Sequence, residues 1–301
     1  MRRVLAVHFV PCALFVAGVL ALMRAGSFAG RSDWGAVWPE RPEDMAGVTA
    51  TVLVCASLLG LLLRPFQVRA VRVLEGYWDR WLFTAGLAAV LARLQRRRWR
   101  ALREQTERTV RGETARRVQA DARRRLAARP PLEVQLPTAL GNALRAGELS
   151  AGERYGLTTL TSWPRLYLQV SDRMADILGS ARNSLDTAVN LCWAFLALTA
   201  AGGAALYDEP FLWWWCGTTT ALAAVAYKGA ITAAQAYSGL MHVAYDLHRF
   251  DLLTALHHRL PPDPDSEEET FYRLSQLFAG AGEEDVLYDH GQGAAEGDDA
   301  G

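Results

Sequence analysis

The sequence is almost without lysine. Of 32 basic residues only Lys228 is a lysine, and the rest are arginines, balanced by 32 acidic residues to zero formal charge. That balance excludes the broadly basic surface by which proteins hold nucleic-acid backbones, so no nucleic-acid partner is expected. Cysteine is scarce too. Cys12, Cys55, Cys192 and Cys216 each sit inside an apolar run, and none forms a Cys-x-x-Cys pair. Such thiols are small apolar fillers, so neither a disulfide nor a metal site is expected. No G-x-x-x-x-G-K loop, dinucleotide glycine fingerprint or H-E-x-x-H helix occurs. No cofactor is implied and no catalytic residue is assigned.

What abounds is apolar: 51% of the 301 residues. Four windows approach the roughly 20 residues that cross a bilayer core: residues 4–23, 45–63, 187–207 and 210–227. No Asp, Glu, Arg or Lys lies centrally in any of them, which argues against a driven ion carrier. The third and fourth windows, parted by Asp208-Glu209, read as a tight hairpin. Arg2-Arg3 before the first window also fits a secretory signal with Ala25-Gly26-Ser27 as cleavage site. The length of the run favours a retained anchor.

Orientation follows from arginine. Between Arg64 and Arg182 lie 23 arginines, against three (Arg24, Arg31, Arg41) between the first two windows. Positive loops stay cytoplasmic, so both termini and residues 64–186 are expected inside a bacterial inner membrane. The fold expected is all-α: four transmembrane helices with a helical cytoplasmic insert and a long protruding charged helix.

Along the insert, residues 64–92 are expected as an interfacial amphipathic helix, with Val71, Leu74, Trp78, Trp81, Leu82 and Ala85 on one face and Arg69, Arg72, Asp79 and Arg80 on the other. Residues 93–130 are expected as one charged helix stopped by Pro130-Pro131. Its acid-before-base pairs are Glu104–Arg108, Glu107–Arg111, Glu113–Arg117 and Asp121–Arg125. Leu94, Leu102, Val110, Val118 and Leu126 recur every eight residues and so drift around the helix, which favours a solvated rod over a coiled coil. Arg93, Arg96, Arg97, Arg98 and Arg100 form a basic cluster facing anionic lipid.

Residues 131–186 read as a compact, turn-rich, membrane-seated segment. A helix starts at Pro137-Thr138 and is expected to break at Gly147. Ser150–Glu153 has capping-box spacing, and Gly156 and Trp163-Pro164 are expected to break the chain again. Residues 187–260 add a cytoplasmic stem to the second hairpin, and 261–301 form an acidic tail, partly disordered, with a short helix near 271–278.

The candidate ligand or partner contacts are Asn142, Arg145, Glu148, Arg154, Tyr155, Trp163 and Arg165, a set suited to an anionic ligand or to tying one loop together. Asp246 and Arg249, three apart on a helix, are the candidate polar pair.

Three strings carry a resemblance. "LPTALGNALRAGELSAGERYGL" with "SWPRLY", "VRVLEGYW" and "YDLHRFDLL" resemble a family of bacterial multi-pass integral membrane proteins of no assigned function, over residues 64 to 275. The resemblance implies the four-span layout with an insert, and no activity. The family pattern carries Arg where this chain has Ala139.

The function expected is a membrane-anchored docking or scaffold module for a protein or lipid headgroup. The expected partners are anionic lipids, a protein through residues 93–129, and further copies of the chain. The alternatives are an oligomeric pore lined by Thr218–Thr220 and a membrane enzyme acting on lipid-linked anions through Arg145, Glu148 and Arg154.

Overall fold

A long apolar run can satisfy its own backbone in lipid only as a helix. The computed structural model describes residues 2–78, 82–108 and 112–281, and among these it is helical with no strand. The helices are α1 (Arg2–Arg24), α2 (Pro42–Leu63), α3 (Gln67–Glu75), α4 (Leu82–Glu107), α5 (Glu113–Ala127), α6 (Ala139–Glu148), α7 (Thr159–Leu166), α8 (Asp172–Ala205), α9 (Trp214–Ala255) and α10 (Pro264–Phe278). Three stretches are long and apolar enough to cross a membrane: Val7–Arg24, Pro42–Glu75 and Asp172–Ala205. The fourth expected window opens α9 after a 3₁₀ turn, Pro210–Trp213. Its tryptophans and threonines, with Lys228 just beyond it, make it less apolar than the other three.

The chain divides into two compact units. The first comprises residues 1–95, 136–141 and 180–234. At one end of it, Glu209 accepts hydrogen bonds from the Ser32 backbone (2.8 Å) and hydroxyl (2.7 Å). Around that end Leu22, Ala205 and Leu206 are buried with Trp34 and Trp215 against them. Midway, the Thr199 and Thr219 hydroxyls meet at 2.8 Å and stitch α8 to α9.

α3 is where the structure departs from the expected interfacial helix. α2 runs through a 3₁₀ turn into α3, whose Val71 is buried and whose Ala70 carbonyl accepts from Trp193 Nε1 at 3.2 Å. Gly76, at φ 95°, then ends it in the left-handed conformation that costs glycine nothing. A helix cannot continue through that residue, so 64–92 is two helices. Asp79, Arg80 and Trp81 lie outside the described residues, as does the Leu82 side chain.

The start of α6 closes this end. Thr138 Oγ1 donates to the Glu75 carbonyl at 2.6 Å and accepts from Gly141 N at 3.0 Å, capping α6 while covering the last turn of α3. Gly141 is required there: a Cβ would stand 2.1 Å from the Glu75 carbonyl oxygen.

The second unit comprises residues 96–135, 142–179 and 235–301. The single charged rod is corrected here. α4 ends at Glu107 and α5 begins at Glu113. Gln119 Nε2 reaches back to the carbonyls of Thr106 (2.8 Å) and Arg108 (3.0 Å), and Arg98 acts electrostatically on Arg129. The Gln119 hydrogen bonds require the chain to turn back between α4 and α5, so that α5 runs antiparallel to α4. Gly112, at φ 97°, starts the return. An eight-residue apolar repeat gives no continuous stripe for a rod, but it leaves Leu102, Leu126 and the buried Ala122 for a short hairpin. Arg103–Glu107, Glu113–Arg117 and Asp121–Arg125 pair along the helices, so Glu107 reaches back to Arg103. Val110 and Arg111, hence the Glu107–Arg111 pair, lie outside the described residues.

The core of this unit joins Leu157, Leu166, Tyr245, Leu252, Leu253, Phe271 and Leu274. The short helix expected near 271–278 is present as the longer α10, which packs into this core, and 282–301 lie outside the described residues. Asp263 caps it, its carboxylate accepting from Ser266 N at 2.9 Å. α6 ends at Glu148, one residue past the expected Gly147. Gly147 has a packing role as well: a Cβ there would stand 2.6 Å from Ser238 Cβ, so it lets α6 approach α9. Trp163-Pro164 lies inside α7 rather than at a break. The capping box does not form. The Ser150 hydroxyl donates back to the Ala146 carbonyl, and Glu153 accepts from Thr159 N (3.1 Å) and Oγ1 (2.6 Å).

Two outcomes follow. Cysteines at 106 and 119 (Thr106→Cys, Gln119→Cys) will form a disulfide on mild oxidation of the otherwise Cys-free chain. A straight helix would hold them about 20 Å apart and give no crosslink. Gly141→Ala will lower the thermal unfolding midpoint in detergent, at the upper end of the roughly 1–3 kcal/mol typical of overpacking, because backbone must move.

Candidate functional site

The expected polar set divides into a neutralised network and an unspent remainder. Asp246, on α9, receives Arg154 Nη2, and Tyr155 Oη donates to the same oxygen at 2.6 Å. Arg154 Nη2 also donates to the His242 carbonyl at 3.2 Å. Arg249 pairs through Nε with Glu267 on α10 at 2.6 Å, and its Nη1 donates to the Asp246 backbone carbonyl. The expected Asp246–Arg249 side-chain pair is thus not made. Partners from other segments take both groups, and they join elements that a pair within one helix would leave apart.

Tyr155 lies between the two guanidiniums, with the Arg154 carbon 5.0 Å and the Arg249 carbon 4.3 Å from its ring centroid. Such contacts are worth about 0.5–1 kcal/mol each where partly exposed. Burial, reinforced by the bond to Asp246, raises the Tyr155 hydroxyl above its usual pKa and keeps it a donor. Two arginines face two carboxylates, so the network has no net charge for a ligand. It locks the 153–155 turn to α9 and α10.

Trp163 stacks tilted beside Tyr245 and Tyr167, at 6.0 and 5.7 Å between centroids. Arg165 lies over the Phe278 ring at 4.1 Å and donates to the Thr161 carbonyl at 2.6 Å. Asn142 is buried on α6. Arg145 and Glu148, half-buried on the same helix, form no ion pair or side-chain hydrogen bond among the described residues. The seven contacts expected at one site are therefore spread over α6, the 153–155 turn and α7.

The sequence did not reveal one pairing. Ser150 Oγ lies 3.1 Å from His242 Nε2, while His242 Nδ1 meets the Ser238 carbonyl at 2.8 Å. This places a hydroxyl beside an oriented imidazole, across 92 residues of chain. The hydroxyl proton is already engaged by the Ala146 carbonyl, a helical back-bond. No group of three His, Cys, Asp or Glu side chains among the described residues is placed to hold a metal ion.

The expected basic cluster lies on α4. Arg93, Arg96, Arg97, Arg98 and Arg100 are all exposed, and none meets a carboxylate among the described residues. Leu87 and Val90 are exposed before the cluster on the same helix, and Leu94 is exposed between Arg93 and Arg96. Of the threonines of the pore alternative, Thr219 is 6% exposed and bonded to Thr199, while Thr218 and Thr220 are exposed.

Asp246→Ala will destabilise the chain by about 1–2 kcal/mol. Most of that loss is the Tyr155 hydrogen bond, because the ion pair is about 40% exposed and screened. A double-mutant cycle with Tyr155→Phe will show coupling, and strict additivity would show the contact to be idle. Burial pushes Tyr245 from 10.0 to about 12. The core holds the neutral phenol, so its contribution is complete below pH 10 and is lost as pH rises toward 12. Tyrosinate absorbance will show a step near pH 12 that Tyr245→Phe removes.

The chain matches no protein-family model, and neither a curated protein nor a solved structure is detectably similar to it.

Proposed function

We propose that the chain is a four-span inner-membrane protein whose cytoplasmic helical insert is a docking module seated on anionic lipid headgroups. Three helices meet the length and apolarity of a span, and the start of α9 supplies the fourth. The arginine bias of residues 64–182 favours the inside location. The motif resemblance supports the same layout.

One observation carries the docking assignment. The 154/246/249/267 network cancels its own charge, whereas the five arginines of residues 93–100 are exposed and meet no carboxylate among the described residues. Exposed apolar residues on the same helix precede them. An apolar stretch followed by arginines suits a helix resting on a leaflet, with leucines at the acyl boundary and guanidiniums at phosphates. The α4–α5 hairpin would then be the part of the insert offered to a protein partner.

The test uses the full chain in nanodiscs and hydrogen exchange of residues 87–100. Protection will be greater in phosphatidylglycerol than in phosphatidylcholine discs. Arg96→Gln, Arg97→Gln and Arg100→Gln together will remove the difference, each charge contributing about 1 kcal/mol. Equal exchange in the two lipids would reject the proposal.

A further inference from the structure

The first unit contains a cavity of about 330 Å³ between α1, the α2–α3 junction and α8. Its walls are almost wholly apolar and include Pro11, Phe15, Leu59, Leu63, Trp193 and Ala197. All three wall segments belong to stretches apolar enough to cross a membrane. The solvent at its mouth is therefore hydrocarbon.

Its few polar atoms are unevenly used. Asn190 Nδ2 donates to the Val7 carbonyl (3.3 Å) and to His8 Nδ1 (3.2 Å). An amide nitrogen can only donate, so Nδ1 accepts and the neutral ring carries its proton on Nε2. Nε2 makes no hydrogen bond among the described residues. Gln67 Nε2 is buried without a partner. Both residues line the cavity. The Asp186 carboxylate and, less strongly, the Arg64 cation act on the His8 ring. The cavity thus offers apolar walls and two donors lacking acceptors among the described residues.

Neither vacancy nor water suits it. An empty space of this size leaves its lining without dispersion partners, and water would meet too few polar groups. The volume equals roughly ten water-sized groups at about 30 Å³ each, enough for much of one hydrocarbon chain.

We propose that this cavity holds one acyl chain of a membrane phospholipid, its ester oxygens accepting from His8 Nε2 and Gln67 Nε2. The site is separate from the arginines of α4, and its test reads different residues from those of the docking proposal.

The test is photocrosslinking of the full chain in phosphatidylethanolamine–phosphatidylglycerol vesicles that contain a phospholipid with a mid-chain diazirine, followed by peptide mapping. Adducts are expected on residues 11–15 and 193–197 in excess of those on Leu58, Leu61 and Leu62, which are exposed on α2 and report ordinary surrounding lipid. Ala197→Phe, at an exposed position where folding tolerates bulk, will cut the cavity adducts about tenfold by filling the space and leave the α2 adducts unchanged. Gln67→Leu keeps the shape and removes a donor, and it will lower cavity labelling by the phospholipid but not by a diazirine alkane. Uniform labelling of cavity and α2 surface would overturn the proposal, since the contact is then only surrounding lipid. Labelling of α2 without the cavity would overturn it too, since another segment or a second copy then fills the space.

Discussion

A tyrosine with no exposure must find partners for its hydroxyl, and the second unit is arranged around that requirement. Tyr245 is fully buried, and its Oη meets Ser162 Oγ at 2.8 Å and donates toward the Thr159 carbonyl. Those partners come from α7, about 83 residues away in the chain. A buried phenol left unpaired costs on the order of 1–3 kcal/mol. α7 therefore cannot leave α9 cheaply, and α10 completes the same core through Phe271. The strings "SWPRLY" and "YDLHRFDLL" are the two sides of this contact. "LPTALG" and "VRVLEGYW" are likewise the two sides of the Thr138–Glu75 contact in the first unit.

Charge is allocated in two ways. Where helices meet, arginine and carboxylate come from different elements and cancel, as at Arg154–Asp246 and Arg249–Glu267. Along α5 the pairs lie within one exposed helix and contribute a few tenths of a kcal/mol each. Among the described residues, α4 alone presents a dense run of cations without counterions. A surface that spends its charge internally is suited to stability, and one that leaves it unspent is suited to a partner of opposite sign.

The first unit uses sparse hydrogen bonds between apolar helices instead. Thr199–Thr219, Asn190–His8 and Ser32–Glu209 each join segments that have little hydrophobic reason to associate in lipid. Small residues supply the rest, with Ala230 and Ala234 fully buried on α9.

The helical class, the three most apolar stretches, the start of α6 at Thr138 and the charged character of residues 93–129 were legible in the sequence. Each depends on composition or on spacing within one helix. The fold-back of α5 on α4, the burial of α10, the cavity and the partners of Asp246 and Arg249 were decided only by tertiary structure. The reason is physical. Asp246 and Arg249 are close enough to pair by spacing alone, but a carboxylate at a helix junction goes to whichever donor also ties in the neighbouring element. Gly147 shows the same limit: in sequence it reads as a helix breaker, and only in the fold is it also the space that lets α6 rest on Ser238.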